Sequence, residues 1–353
     1  MSTSISAIAT GACTRSAEDV TRLIKRRVEE RDAWIGPAQP TLSLVLKTMW
    51  QTGGSFSPTV PSKENLDDVF PVQTLDWEQI VNPPDPSRLQ VTWLGHASLL
   101  VQIDGRNILA DPVFNDRASP VRWAGPLRYR PPPCTLQELL EKITIDAVCI
   151  SHNHYDHLCY DTLKYIVATT ASKDIKFVVP LGLREWLQKH VTSDHHDIRE
   201  LDWHESTSIA GGSLTITSVP MKHWSNRTGD RDETLWCGYV MESNVSNKKF
   251  LFPGDTAWFD GLLDIGKKYG PFDLAAIPIG AYEPREFMKS SHINVEEAVR
   301  MKTAIQAKKA VPIHWGTFPL TTEPVMEPRE KLIELMGDDD SFRPWLIGET
   351  RHS

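Results

Sequence analysis

At 353 residues the chain is longer than one small hydrophobic core organises, and 40% apolar with 24% charged residues excludes a disordered tail. A net charge of −8 at pH 7 disfavours broad electrostatic binding to nucleic acid, and no apolar run reaches the ~18 to 20 residues of a membrane-spanning helix. The five cysteines are widely spaced with no C-x-x-C pair, which argues against a disulfide framework or a thiolate zinc knuckle and fits reduced, intracellular thiols.

The opening MSTSISAIATGACTR is rich in Ser and Thr and lacks acids, as transit peptides do, but it carries one arginine and no signal-peptide core. A cytoplasmic location is therefore expected over mitochondrial import. Residues 17–31 set Val20, Leu23, Ile24 and Val28 at helical spacing with Arg22, Lys25, Arg26 and Arg27 around them, which predicts an amphipathic helix. Such a helix docks on protein or, through its basic rim, on a membrane surface. TLSLVLKTMW (41–50) adds apolar bulk, and the proline-rich VNPPDPSR (81–88) marks a break. The expected division is an extension over 1–85, available for membrane or homodimer contact, and a main domain over 86–353.

From Leu89 the pattern changes to short apolar strands divided by Gly, Asp and Pro. LQVTWLGHASLLVQIDG reads as a hairpin or meander, RNILADP as a strand ending in Asp111, and DAVCISH as a strand ending in His152. Helices are expected over 161–168 and 183–190. A second round follows: GSLTITSVP, LWCGYVMES and KKFLFPGD as strands, GLLDIGKKYG as a helix, DLAAIPIG as a strand, VEEAVRMKTAIQAK as a helix and KAVPIHWG as a strand. Two strand-rich halves, each followed by helices, predict an α/β fold with two sheets face to face and helices outside.

SHNHYDHL (151–158) concentrates His152, His154, Asp156 and His157 directly after an apolar run. Imidazole nitrogens and a carboxylate are a ligand set that zinc accepts, yet one loop does not complete two sites. His223, Asp255 and His314 each stand just beyond a later apolar run and are the further candidate ligands. Two divalent ions bring four positive charges; Asp156, Asp255 and a bridging hydroxide remove three, leaving a site that favours an anion such as a phosphodiester. A shared water whose pKa falls from about 15.7 towards ~7 supplies hydroxide at neutral pH without a Ser or Cys nucleophile.

The H-x-H-x-D-H segment followed by distant His, Asp and His resembles the metallo-β-lactamase superfamily. Within it, WLGHAS, ADPVF, ISHNHYDHL, HWSNRT, PGDTAW, GAYEPREFM, HINVEEAVR and IHWGTF resemble the N-acylphosphatidylethanolamine-hydrolysing phospholipase D family over about residues 90–320. The resemblance implies an αβ/βα four-layer sandwich with two Zn²⁺. His152, His154 and His223 would hold one ion, Asp156, His157 and His314 the other, and Asp255 would bridge them. It further implies cleavage of a phospholipid to N-acylethanolamine and phosphatidate by hydroxide attack on phosphorus. Tyr155 and His292 resemble substrate-touching positions, and His292 could assist the leaving group. Asp111 is expected to orient a ligand histidine, Arg227 to aid phosphate placement, and His96 to lie either beside the ligands or in the core. Asn226 stands where the family often carries lysine, which bears on headgroup preference. The loop RASPVRWAGPLRYRPPP offers Arg117, Arg122, Trp123, Arg128, Tyr129 and Arg130 as a rim for anionic headgroups. The rival readings are a lactonase or another phosphodiesterase of the same fold, and a catalytically silent lipid-binding homologue.

Overall fold

The computed structural model describes residues 15–35, 47, 58–169, 175–192 and 196–353. The acid-free start except Arg15, and all of the 41–50 stretch except Lys47, lie outside the described residues. The chain begins with α1 (Ala17–Ile35), α2 (Lys63–Val69) and α3 (Trp77–Val81), then enters β1 (Gln90–Gly95), β2 (Ser98–Ile103) and β3 (Arg106–Ala110). Next come α4 (Leu136–Lys142), β4 (Ala147–Cys149), α5 (Tyr160–Ala168), β5 (Lys176–Pro180), α6 (Leu183–His190) and β6 (Asp197–Leu201). The second half runs β7 (Ser206–Ile209), β8 (Leu214–Val219), β9 (Gly238–Ser243), β10 (Lys249–Phe252), α7 (Gly261–Tyr269) and β11 (Phe272–Pro278). It closes with α8 (Arg285–Met288), α9 (Val295–Ala304), β12 (Ala307–Ile313), α10 (Glu327–Met336) and β13 (Thr350–His352).

Seven strands form one sheet in the order β13-β1-β2-β3-β4-β5-β6, and six form the other in the order β12-β11-β10-β9-β8-β7. Strand periodicity explains the layering. In β2 to β5, Leu99, Val101, Ile108, Ala110, Cys149 and Val178 join one buried cluster with Ile216, Tyr239, Met241 and Phe250 of the second sheet. Their neighbours Leu100, Leu109, Val148, Phe177 and Val179 join a separate cluster with Leu139, Leu163 and Leu187 of α4, α5 and α6. Alternate residues thus face the opposing sheet and the outer helices, so each strand is apolar on both sides. The Tyr239 hydroxyl crosses between the sheets and donates to the Ile150 carbonyl at 2.8 Å.

The predicted helix over 17–31 continues four residues further. Ile24 is buried and Val20, Leu23, Val28 and Trp34 pack on the inter-sheet cluster, so its apolar face is spent on the protein itself. Arg27 grips Asp202 with Nε and Nη2, both at 2.9 Å. Gly182, at φ 86°, permits the close fit: a Cβ there would stand 2.9 Å from the Glu233 carbonyl and 3.0 Å from Ile24. The strand expected to run to His152 stops at Cys149, because residues 151–157 turn away from the sheet.

Candidate metal centre

Each site residue follows the C-terminal end of a strand, where open α/β sheets present ligands: His96 after β1, Asp111 after β3, 151–157 after β4, His223 after β8, Asp255 after β10 and His314 after β12. His96, Asp111 and His314 hold positive φ values of 52°, 39° and 60°, a left-handed backbone that His and Asp tolerate better than most residues. The turn takes these side chains off the strand path. The 151–157 segment curls back as His157 and Leu158 donate backbone N–H bonds to the His154 carbonyl. Gly254 lets the loop after β10 press against it, since a Cβ there would stand 2.5 Å from that of Ser151.

These loops converge in two groups. His152, His154 and His223 form one and Asp156, His157 and His314 another, the latter joined by His96; within each, one donor atom per residue lies within 4.8 Å of the rest. In the first, His154 Nδ1 stands 2.8 Å from His152 Nε2 and 3.3 Å from His223 Nε2. In the second, Asp156 Oδ2 lies 3.3 Å from His314 Nε2 and 3.4 Å from His157 Nε2. Asp255 Oδ2 sits between them, 3.1 Å from the Nε2 of His157 and of His314, 3.7 Å from His223 and 3.9 Å from His152. All seven sequence-predicted ligands are therefore brought together.

Outer contacts fix which ring nitrogen faces inward. His157 Nδ1 donates to Asp111 Oδ2 at 2.7 Å, leaving Nε2 to the site, and Asp111 also accepts from the Ser151 N–H and hydroxyl. His223 Nδ1 donates to the Ser291 carbonyl at 3.0 Å. His96 Nε2 reaches Asp156 Oδ2 at 3.0 Å, which puts it beside the ligands and out of the apolar core. His292 stacks on His314 with ring centroids 5.2 Å apart, and its Nδ1 lies 4.0 Å from Asp255. It is held there by the motifs around it: Arg285 donates to the His292 carbonyl and pairs with Glu297, which closes a capping box with Asn294 at the start of α9. Ser151 and Ser291 were not singled out by sequence; Ser151 directly precedes His152, while Ser291 acts through a carbonyl that no side-chain pattern signals.

The donors fit divalent cations. Asp255 Oδ1 and His292 Nδ1 are buried without a hydrogen-bond partner. Burial lowers His152 well below the usual histidine range, His154 to about 4 and His223 to about 3, so these rings are neutral and offer lone pairs at pH 7. Burial opposes a proton on His157 and His314 as well, yet Asp255 and Asp156 raise the first well above its usual range and the second to about 9. The carboxylate field at this spot favours positive charge, and a divalent ion supplies it.

Tyr155 packs against Arg227. The guanidinium lies over the Tyr155 ring at 4.1 Å and over Trp186 at 4.8 Å, while Nη1 donates to the carbonyls of Asn153 and Leu158 and so braces the histidine loop. Tyr155 and Arg227 line a groove of about 750 Å³ with Arg117, Arg122 and Trp186. The loop expected to present a rim is divided. Arg128 bonds the carbonyls of Asn115 and Val113, Arg130 is buried against Asp67, and Tyr129 is half-buried. Val121, Trp123 and Leu127 are exposed instead, Trp123 to 81%, beside Arg122. Of the histidines without a motif, His204 meets Tyr269 and His352 meets Gln79, and His195 lies outside the described residues.

The family model described as a β-lactamase superfamily domain matches residues 106–315. A Caenorhabditis elegans protein called N-acyl-phosphatidylethanolamine-hydrolyzing phospholipase D 1 is 44% identical over 299 residues, covering 81% of each chain. The chain belongs to the N-acyl-phosphatidylethanolamine-hydrolyzing phospholipase D family of the β-lactamase superfamily. A mitochondrial family member from Saccharomyces cerevisiae is 31% identical over 71% of this chain, which spans about half (52%) of that protein. The solved structure of Igni18, a metallo hydrolase from Ignicoccus hospitalis, shares the fold at a TM-score of 0.55 and 22% identity, covering 75% of this chain and 98% of that one. Family and fold together make the chain a metal-dependent hydrolase with the metallo-β-lactamase fold.

Proposed function

We propose that the chain is a dizinc phosphodiesterase that hydrolyses N-acylphosphatidylethanolamine to N-acylethanolamine and phosphatidate. The observation that carries the two-ion reading is Asp255 Oδ2 lying within 3.1 to 3.9 Å of ring nitrogens from both groups, the position of a shared ligand. His152, His154 and His223 would hold one zinc and Asp156, His157 and His314 the other. The substrate follows the worm relative, whose name states that lipid. Bound zinc would supply Lewis acidity and lower the pKa of a coordinated water towards ~7. The chain's own groups do the rest: Asp111 and the Ser291 carbonyl keep two ligand rings in the right tautomer, and His292 stands at the site with a ring nitrogen available to a phosphate oxygen or the leaving alkoxide. Tyr155 acts at the groove wall, and Arg227 shapes that wall while it holds the loop.

Purified protein supplied with zinc and N-acylphosphatidylethanolamine labelled in the glycerol part is expected to release labelled phosphatidate. Labelled diacylglycerol in its place would sink the type D assignment. No described helix is long and apolar enough to cross a membrane, and the reading reaches a bilayer substrate by docking at the membrane surface. Trp123 with Val121, Leu127 and Arg122 offers an apolar and basic tip for that. Trp123→Ala is expected to weaken sedimentation with anionic vesicles by about fivefold to thirtyfold, from the loss of about 1 to 2 kcal/mol of buried aromatic surface. Turnover of lipid dispersed in detergent is expected to stay within twofold of the parent; an equal loss in both assays would count against the docking role.

A further inference from the structure

The helix that precedes the catalytic strands reaches the back of the metal centre. Arg31, in the last turns of α1, is only 1% exposed. Its Nη1 lies 3.2 Å from the carbonyl oxygen of His223 and 3.2 Å from both carboxylate oxygens of Asp232, and its Nε donates to Asp32 at 2.8 Å. The guanidinium also stacks over Trp236 at 4.7 Å. Asp232 in turn accepts from the Ser225 N–H, and its own N–H donates to the Ser225 carbonyl, so the 223–232 loop is closed on itself beside the arginine. That same loop carries Arg227, which braces Asn153 and Leu158, and Asp230, whose carboxylate accepts from the Asn153 amide.

We infer that Arg31 is a positioning residue of the metal centre: it fixes the main chain of His223 from behind while the Ser291 carbonyl fixes the ring from the side. A buried guanidinium with carboxylate, carbonyl and aromatic partners has one low-energy placement, unlike a lysine, which is a flexible point charge. Arg27 on Asp202 and Trp34, stacked on Trp203 at 5.4 Å and Phe259 at 4.7 Å, anchor α1 on either side of Arg31, so the helix transmits a fixed position. The N-terminal helix therefore belongs to the site functionally although it precedes the catalytic strands in sequence. The inference rests on the reading of His223 as a zinc ligand.

The test measures zinc affinity of the full-length protein by competition with a chelator, independently of turnover. Arg31→Ala is expected to bind zinc about 10 to 100 times more weakly, the range for groups that orient metal ligands. It is also expected to lower kcat with KM within twofold, and millimolar methylguanidinium, filling the space left, is expected to restore part of the zinc affinity. Arg31→Ala binding zinc as tightly as the parent, or methylguanidinium restoring thermal stability without zinc affinity, would overturn the inference. Should Arg31→Ala not fold, Asp232→Asn decides: weakened zinc binding supports the latch, and unchanged binding refutes it. A parent protein that binds no zinc refutes the dizinc reading itself and the role of Arg31 with it.

Discussion

Alanine in place of Asp255 is expected to leave at most one zinc per chain and to cut turnover by on the order of 1000-fold or more, since it removes charge from the point where the reaction needs it. The argument is geometric. Its Oδ2 faces both groups of imidazoles, and the next carboxylate, Asp156, touches only the group of His157 and His314. Burial by itself would push the Asp255 carboxyl upward, but His157 and His314 hold it well below the usual carboxylate range, so it is ionised at every working pH. Without it, two divalent ions would share one buried pocket with a single carboxylate between them, and mutual repulsion would expel one. Metal content by mass spectrometry alongside phosphatidate release checks this. Two zinc ions retained with full activity would show that Asp255 does not bridge.

What could be read in advance divides along the physics of locality. The strands, the two-sheet layering and the clustering of the seven candidate ligands were legible because each rests on a short pattern: an apolar run bounded by Gly, Asp or Pro for a strand, a strand end for each later candidate, and six residues that put three imidazoles in one loop. The capping box at Asn294 and Glu297 is equally local, and the helix after His292 begins at Val295, as expected. Other features depend on partners far along the chain. β13 is three residues long and pairs with β1 across some 260 positions, too short to carry a periodic signal. Tyr129 and Arg130 read as a polar rim because their composition is polar, yet Arg130 is drawn inward by Asp67 on a helix sixty-three residues earlier. Nothing local singles out Arg31 at the end of the 17–31 stretch; its partners, His223 and Asp232, lie about two hundred residues away. Arg227 was expected to aid phosphate placement, and no local pattern signals that its Nη1 donates to two backbone carbonyls about seventy residues earlier.

Asp111→Asn separates what the site needs from what the fold needs. Burial pushes the Asp111 carboxyl up from its ordinary value, with the donors His157 and Ser151 pulling it back, so its contribution to stability is present at low pH and is lost as pH rises through the raised value. The amide keeps the volume and the left-handed φ of 39° that asparagine also accepts. One face still accepts from the Ser151 N–H. The other now presents an NH₂ group to His157 Nδ1, 2.7 Å away in the parent, and an NH₂ donates where a carboxylate accepted. In the neutral ring that ligation requires, the proton of His157 then sits on Nε2, the nitrogen that faces Asp255 and the site. A protonated nitrogen is not a metal ligand. Zinc affinity is therefore expected to fall about 10- to 100-fold. Histidine ¹⁵N chemical shifts would report the tautomer directly. An unchanged Nδ1-protonated His157 with weakened zinc binding would mean that Asp111 acts by its charge alone, and equal losses of stability and affinity would make it a plain structural residue.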